Sequence, residues 1–222
     1  MVDKMFRMHL KLAYILAFYF AIIPGQTKYC CYPVTWESVN FERDGLVGPG
    51  SKTAVINEIT EKLSVDGVNQ RIASFSIVNT GGYQIKVQIL QLYNKNIMYI
   101  AEGGTCKTYK LPPWNPICVP DSATLAKKTY YGFKDKVDVD IYAVVSGPKT
   151  SYLTMTRADC VPVYQASYGQ SQAGSELSFK TFSDITLGIK DQSVFDIPSS
   201  CTNITSIPTI MAKKHGLYWS IG

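Results

Sequence analysis

The sequence predicts an all-β chain, and two observations carry that prediction. Apolar and polar residues alternate with a period of two through most of the chain, and turn-forming residues interrupt the alternation at short intervals. Ile59, Leu63 and Val65 oppose Thr60, Lys62 and Ser64 and run into Asp66-Gly67. Ala73, Phe75 and Ile77 alternate with Ser74 and Ser76 before Thr80-Gly81-Gly82. Tyr83, Ile85, Val87 and Ile89 alternate with Gln84, Lys86 and Gln88, and Asn94-Lys95-Asn96 turns the chain into a strand over 97–101. Val137, Val139, Ile141, Ala143 and Val145 alternate with Asp138, Asp140 and Tyr142 up to Ser146-Gly147-Pro148. Further strands are expected over 32–41, 152–157, 161–168 and 177–182. Nine or ten short strands, each with one apolar face, give an antiparallel sandwich or barrel. One short helix is expected after Pro120, capped by Asp121 or Ser122 and running over 123–128. A second is expected from Pro208 to Lys214, stopped by Gly216.

The ends frame a single domain. Residues 1–26 read as a secretory signal peptide: Lys4, Arg7 and Lys11 precede the apolar run Leu12–Ile23, which Pro24-Gly25 breaks. Twelve residues are too few for a membrane-spanning helix, which needs about 20. Residues 27–222 are enough for one domain with a sizeable core, with a C-terminal tail from about 202. The net charge of +5 is mild and the lysines are scattered, so no basic stripe of the kind that binds nucleic acid is present.

All six cysteines (Cys30, Cys31, Cys106, Cys118, Cys160 and Cys201) follow the signal segment, and an even count there reads as a disulfide framework. Zinc would need paired Cys/His spacings, which are absent. Six cysteines allow fifteen connectivities, and excluding a bridge between the adjacent Cys30 and Cys31 leaves twelve. Asn203-Ile204-Thr205 is the one glycosylation sequon.

Catalytic equipment is sparse. His215 is the only histidine after residue 26, the cysteines are expected to be oxidised, and no P-loop, dinucleotide fingerprint or H-E-x-x-H is present. Asp138 and Asp140 share one face of a strand, as paired glycosidase carboxylates do, but the solvated side of an alternating strand explains them more simply. With Asp135 they are also candidates for calcium, although no D-x-D-x-D-G loop backs this and Lys134 and Lys136 intervene. Fifteen tyrosines, with Trp36, Tyr83, Tyr93, Tyr99, Phe75 and Phe179 interleaved among aliphatics, fit either a packed core or a cavity between sheets. Composition does not choose between the two.

Four stretches together carry a family resemblance. They are Cys30-x-x-Pro33-x-x-Trp36-Glu37, Asp66-Gly67-x-Asn69-Gln70-Arg71, Asp159-Cys160-x-Pro162-Val163, and Asp184-Ile185-x-Leu187-Gly188-Ile189-Lys190-Asp191 through Cys201. In this order, behind a signal peptide and over roughly residues 30–201, they resemble the ependymin-related proteins. The resemblance implies a secreted, often dimeric glycoprotein whose two antiparallel sheets curl into a half-barrel around a hydrophobic pocket, similar to bacterial lipoprotein carriers. It also implies lipid binding, with calcium and extracellular-matrix association among members. The disulfides it implies are Cys30–Cys160 and Cys106–Cys201, leaving Cys31–Cys118.

The function expected from this reading is a secreted, non-enzymatic binder of a lipid or other hydrophobic ligand, probed at inward-facing Phe75, Ile77, Ile85, Val87, Val139, Ile141 and Met155. The competing expectation is a calcium-dependent matrix or cell-adhesion protein acting through its surface. The first needs no cofactor and the second needs Ca2+; neither involves nucleic acid or a transmembrane span, and both accommodate a homodimer.

Overall fold

The alternating stretches form strands of one sheet rather than two. A computed structural model describes residues 30–202; the expected signal segment, Asn203 and the expected helix over 208–214 lie outside the described residues. Eleven strands are present: β1 (Thr35–Val47), β2 (Val55–Asp66), β3 (Arg71–Thr80), β4 (Tyr83–Leu92), β5 (Ile97–Glu102), β6 (Thr105–Lys110), β7 (Thr124–Tyr131), β8 (Val137–Ser146), β9 (Lys149–Thr156), β10 (Pro162–Ser171) and β11 (Gly174–Leu187). Their order across the sheet is β6-β5-β4-β3-β2-β1-β11-β10-β9-β8-β7, and all neighbouring strands pair antiparallel. The two expected sheets are thus two hairpin meanders fused where β1 pairs with β11.

Two local expectations are corrected. Residues 123–128, expected as a helix, instead lead into and form most of the edge strand β7. Ala, Leu and Lys favour a helix there, but pairing with β8 through Thr129, Tyr130 and Tyr131 prevails over so short a propensity signal. Among the described residues the helical elements are single 3₁₀ turns at Tyr93–Lys95, Gln192–Phe195 and Ser199–Cys201. The expected strand over 32–41 starts later and runs on to Val47.

The sheet is open, since β6 and β7 are its edges, yet residues 111–123 join those edges. Across a flat sheet of this width the strand spacing sums to about 48 Å. A fully stretched chain from Lys110 to Thr124 reaches about 48 Å at most. The real connection is not stretched: Ala123 donates to the Pro120 carbonyl in a turn, and Tyr32 donates to Ile117 on the way. The sheet must therefore curl, bringing its edges toward each other. Leu111 opens the connection and packs with Ile89, Met98 and Ile100, which identifies the face toward which the sheet curls.

Directly opposed residues of an antiparallel ladder share a face, so the register assigns every strand residue to one of two faces. On the concave face lie Trp36, Leu63, Val65, Ile72, Ile89, Leu153, Met155 and Phe182, all buried. Tyr32, Trp36 and Phe182 form a chain of tilted ring contacts there. On the convex face Ala73, Leu90, Leu92 and Ile97 are covered by Phe195, with Ile189 and Val194 alongside.

Candidate functional site

The middle of the concave face carries charge. One row runs Ile85–Val78–Ile59–Glu42–Lys180–Gln165–Leu153–Tyr142, and the row beside it runs Val87–Ser76–Glu61–Asn40–Phe182. Lys180 Nζ lies 2.7 Å from Glu61 Oε2 and 3.4 Å from Glu42 Oε2. Asn40 Nδ2 donates to Glu61 Oε2 at 2.9 Å, Ser38 Oγ donates to Asn40 Oδ1 at 2.8 Å, and Ser178 Oγ donates to Glu42 Oε1 at 3.1 Å. Asn40, Glu61 and Lys180 retain only 0%, 3% and 7% exposure. A buried ammonium is tolerable only when paired and hydrogen-bonded, which this network provides. Burial alone depresses the Lys180 pKa, but the two carboxylates outweigh it and the pKa is raised. Glu42 is held above the ordinary carboxylate range because burial outweighs its attraction to Lys180. Ser76 Oγ and Trp36 Nε1, both buried on this face, have no hydrogen-bond partner among the described residues.

Either side of this polar centre the face is aliphatic. Trp36, Leu63 and Val65 are packed, whereas Ile59, Val78, Ile85 and Val87 are only half-buried. The face is thus a trough with a filled end, a half-exposed aliphatic strip and a polar floor.

The seven residues expected to face inward divide between the faces. Ile85, Val87 and Met155 lie on the concave face, while Phe75, Ile77, Val139 and Ile141 lie on the convex one. Phe75 is 42% exposed, and its row partners are Lys62 and Gln88. Alternation correctly separated the two sides of each strand, but the apolar side is not the same side in β3 and β8 as in β4. The network itself went unread, although Glu61 occupies the slot of Ile59, Leu63 and Val65. A carboxylate in an aliphatic register position was the available signal.

Asp138 and Asp140 do pair, but with Arg157: Nη1 lies 3.1 Å from Asp138 and Nε 2.8 Å from Asp140, while Nη2 donates to the Val139 carbonyl. Among the described residues no group of three metal-ligating side chains converges.

The quoted sequence stretches prove to be joints. Asp66 accepts from the Asn69 backbone and side chain and from Arg71 Nε. Arg71 in turn reaches Gln192 and lies 4.0 Å above the Phe195 ring. Burial works against the Asp66 carboxylate, but the Asn69 and Arg71 hydrogen bonds prevail and hold its pKa below the ordinary value. Gly67 is required by close approach, since its N–H donates to Val34 and a Cβ there would lie 2.8 Å from the Val34 oxygen. Cys31 bridges Cys118 and Cys106 bridges Cys201, and Cys30 and Cys160 are also disulfide-bonded.

Known proteins resemble this chain over most of its length. The Ependymin family model matches residues 82–201. Mammalian ependymin-related protein 1 of Rattus norvegicus is 27% identical over 189 residues, covering 80% of this chain and 78% of that protein. Ependymin-related protein 1 of Haliotis asinina is 27% identical over 149 residues, covering 61% of this chain and 74% of that one. Among solved structures, a DUF1329 family protein from Desulfovibrio piger aligns over 84% of this chain and 96% of its own, at 8% identity and a TM-score of 0.29. The family model spans more than half of the sequence, and the chain belongs to the Ependymin family.

Proposed function

We propose that this protein is a secreted, non-enzymatic carrier that holds a lipid-class ligand in the trough. The observation that carries the reading is the half-buried strip Ile59–Val78–Ile85, continued by Val87, which ends on a buried polar centre. An apolar cleft with a few convergent polar groups is the usual form of a small-molecule site. An alkyl chain lies along the aliphatics, and the ligand's polar group meets Ser76 Oγ, whose hydrogen-bonding capacity the described residues leave unused.

Native mass spectrometry of the protein secreted from a eukaryotic host, with solvent extraction of the same sample, tests this. A discrete adduct that extracts as lipid is expected. Ile85→Asp should abolish it, and Phe75→Asp on the convex face should not. A ligand-free wild-type mass, with no uptake of an added fluorescent fatty acid, would reject the carrier.

A second reading, adhesion through the surface, is favoured by the stacked ring pairs Tyr152–Tyr168 and Tyr164–Phe179 on the convex face. That face would also serve to pair two copies of the chain. Calcium titration by calorimetry separates the readings, since the carrier needs no metal and Asp138 and Asp140 are already engaged by Arg157.

A further inference from the structure

The aliphatic strip of the trough ends on carboxylates. Ile85, Val78 and Ile59 lead in register to Glu42, whose side chain keeps 19% exposure and is reachable from the strip. Asp44 lies two residues further along β1 on the same face, opposite Asn57 and Ser178. Glu61 lies in the row on the other side, opposite Asn40 and Ser76.

A single ammonium answers these three carboxylates. Lys180 Nζ sits closest to Glu61, at 2.7 Å, and stands 3.4 Å from Glu42. Lys149, further along the same face, is taken by Glu176 at 2.8 Å. Burial is the main reason the Glu42 pKa is raised, and the neighbouring Asp44 and Glu61 charges push it further. The floor of the trough therefore carries more negative charge than its own cation balances.

Two buried polar atoms here are also unused. Asp44 Oδ1 and Ser76 Oγ have no hydrogen-bond partner among the described residues, and Ser76 is only 4% exposed. An ionised carboxylate oxygen can only accept, so Asp44 calls for a donor. A ligand carboxylate or phosphate would supply none and would add negative charge where repulsion is least screened. An ammonium supplies both donors and the missing positive charge.

We infer that the ligand of the trough is a long-chain amine, its alkyl chain on Ile59, Val78 and Ile85 and its ammonium group on Glu42 and Asp44. Ser76 Oγ, beside Val78 on β3, remains for a further polar atom of the same head group. The inference rests on the carrier reading and adds to it the charge of the ligand. The preference is local, because the formal net charge of the chain is +5 and by itself attracts anions.

Calorimetry of the folded secreted protein at neutral pH with dodecylammonium, dodecanol and dodecanoate, each below its micelle threshold, tests it. Dodecylammonium should bind tightest. Dodecanoate should bind at least about tenfold more weakly, the low end for a hydrogen bond to a charged group. Glu42→Gln and Asp44→Asn keep the side-chain shape, and each should cut the preference for ammonium over alcohol severalfold while dodecanol binding stays the same. Asp44→Asn carries the test alone if Glu42→Gln lowers the melting temperature. Dodecanol or dodecanoate binding as tightly as dodecylammonium would overturn the head-group assignment and leave the carrier reading standing. So would an ammonium preference untouched in the folded variants. Binding of none of the three would reject the carrier itself, and this inference with it.

Discussion

The convex face has two halves of similar composition and opposite fates. Over β3–β5 its aliphatic residues are sealed: the segment after β11 crosses back, places Phe195 on Leu90, Leu92 and Ile97, and is fastened by Cys106–Cys201. Over β9–β11 no segment among the described residues crosses back. There Tyr152 stacks on Tyr168, Tyr164 stacks on Phe179, and Leu177 and Tyr168 stay exposed. The difference lies in the partner rather than in the strands. A sheet buries its second face only where a further segment is supplied, and among the described residues that follow β11 one such segment is present.

Removing the cover should be the most damaging change. Cys106 and Cys201 are 95 residues apart in sequence, and a bridge closing so long a loop stabilises by up to about 4–5 kcal/mol in the chain-entropy model. The double variant Cys106→Ser, Cys201→Ser should lower the melting temperature by well over ten degrees and open the backbone of β4 and β5 to hydrogen exchange. Protection of those strands equal to wild type would show that packing alone holds the segment.

A smaller effect is expected at the joint that orients it. Asp66→Asn weakens the hold on Arg71, and with it the Gln192 and Phe195 contacts, for a loss of about 2 kcal/mol. The pH dependence has a definite sign. The folded Asp66 pKa lies below its unfolded value of about 3.9, so its contribution is present above that pH and is lost as pH falls through the folded value. Chemical denaturation from pH 7 down to 3 should show wild type and Asp66→Asn differing by a constant amount until about pH 4 and converging below it. A gap that persists at low pH would mean that the carboxylate charge is not what holds the joint.

The smallest effect belongs to the uncovered half. Phe179→Ser should change thermal stability by no more than about 0.5 kcal/mol, as substitutions on open surface do. A large loss would reveal that the stacked rings are themselves a packed layer, and the contrast between the halves would fail.

Much of the fold was readable because alternation reports sidedness directly, and the Asp66-Gly67, Gly81-Gly82 and Gly147-Pro148 turns fall between consecutive strands. Two things were not readable. The first is which side of each strand faces the trough: β3 presents Ser74 and Ser76 to the concave face and Ala73 and Ile77 to the convex one, so polarity points the wrong way locally. Burial by a later segment, at Ala73 under Phe195, makes both sides of a strand apolar and erases the signal. The second is the Lys180–Glu61 pair: Glu61 stands out among the aliphatics of its register, but its partner lies 119 residues away and nothing in the sequence links the two. β7 was misread because its first half is Thr-Leu-Ala-Lys-Lys, and its state is set by β8 rather than by its own residues.

The pairing of β1 with β11 also governs the order in which the molecule is made. Phe41 and Thr181 meet across 140 residues of chain, whereas every other neighbouring pair of strands is a hairpin. At synthesis rates of about 5–20 residues per second, β1 waits roughly 7–28 s for its second partner. Until then the meander β1–β6 ends in an open, half-apolar edge, the kind of surface that recruits other chains. Folding of this protein is therefore timed by its last strand. Truncation before β11 leaves two unjoined meanders rather than a smaller version of the same domain, and non-local closure of this kind makes refolding slow.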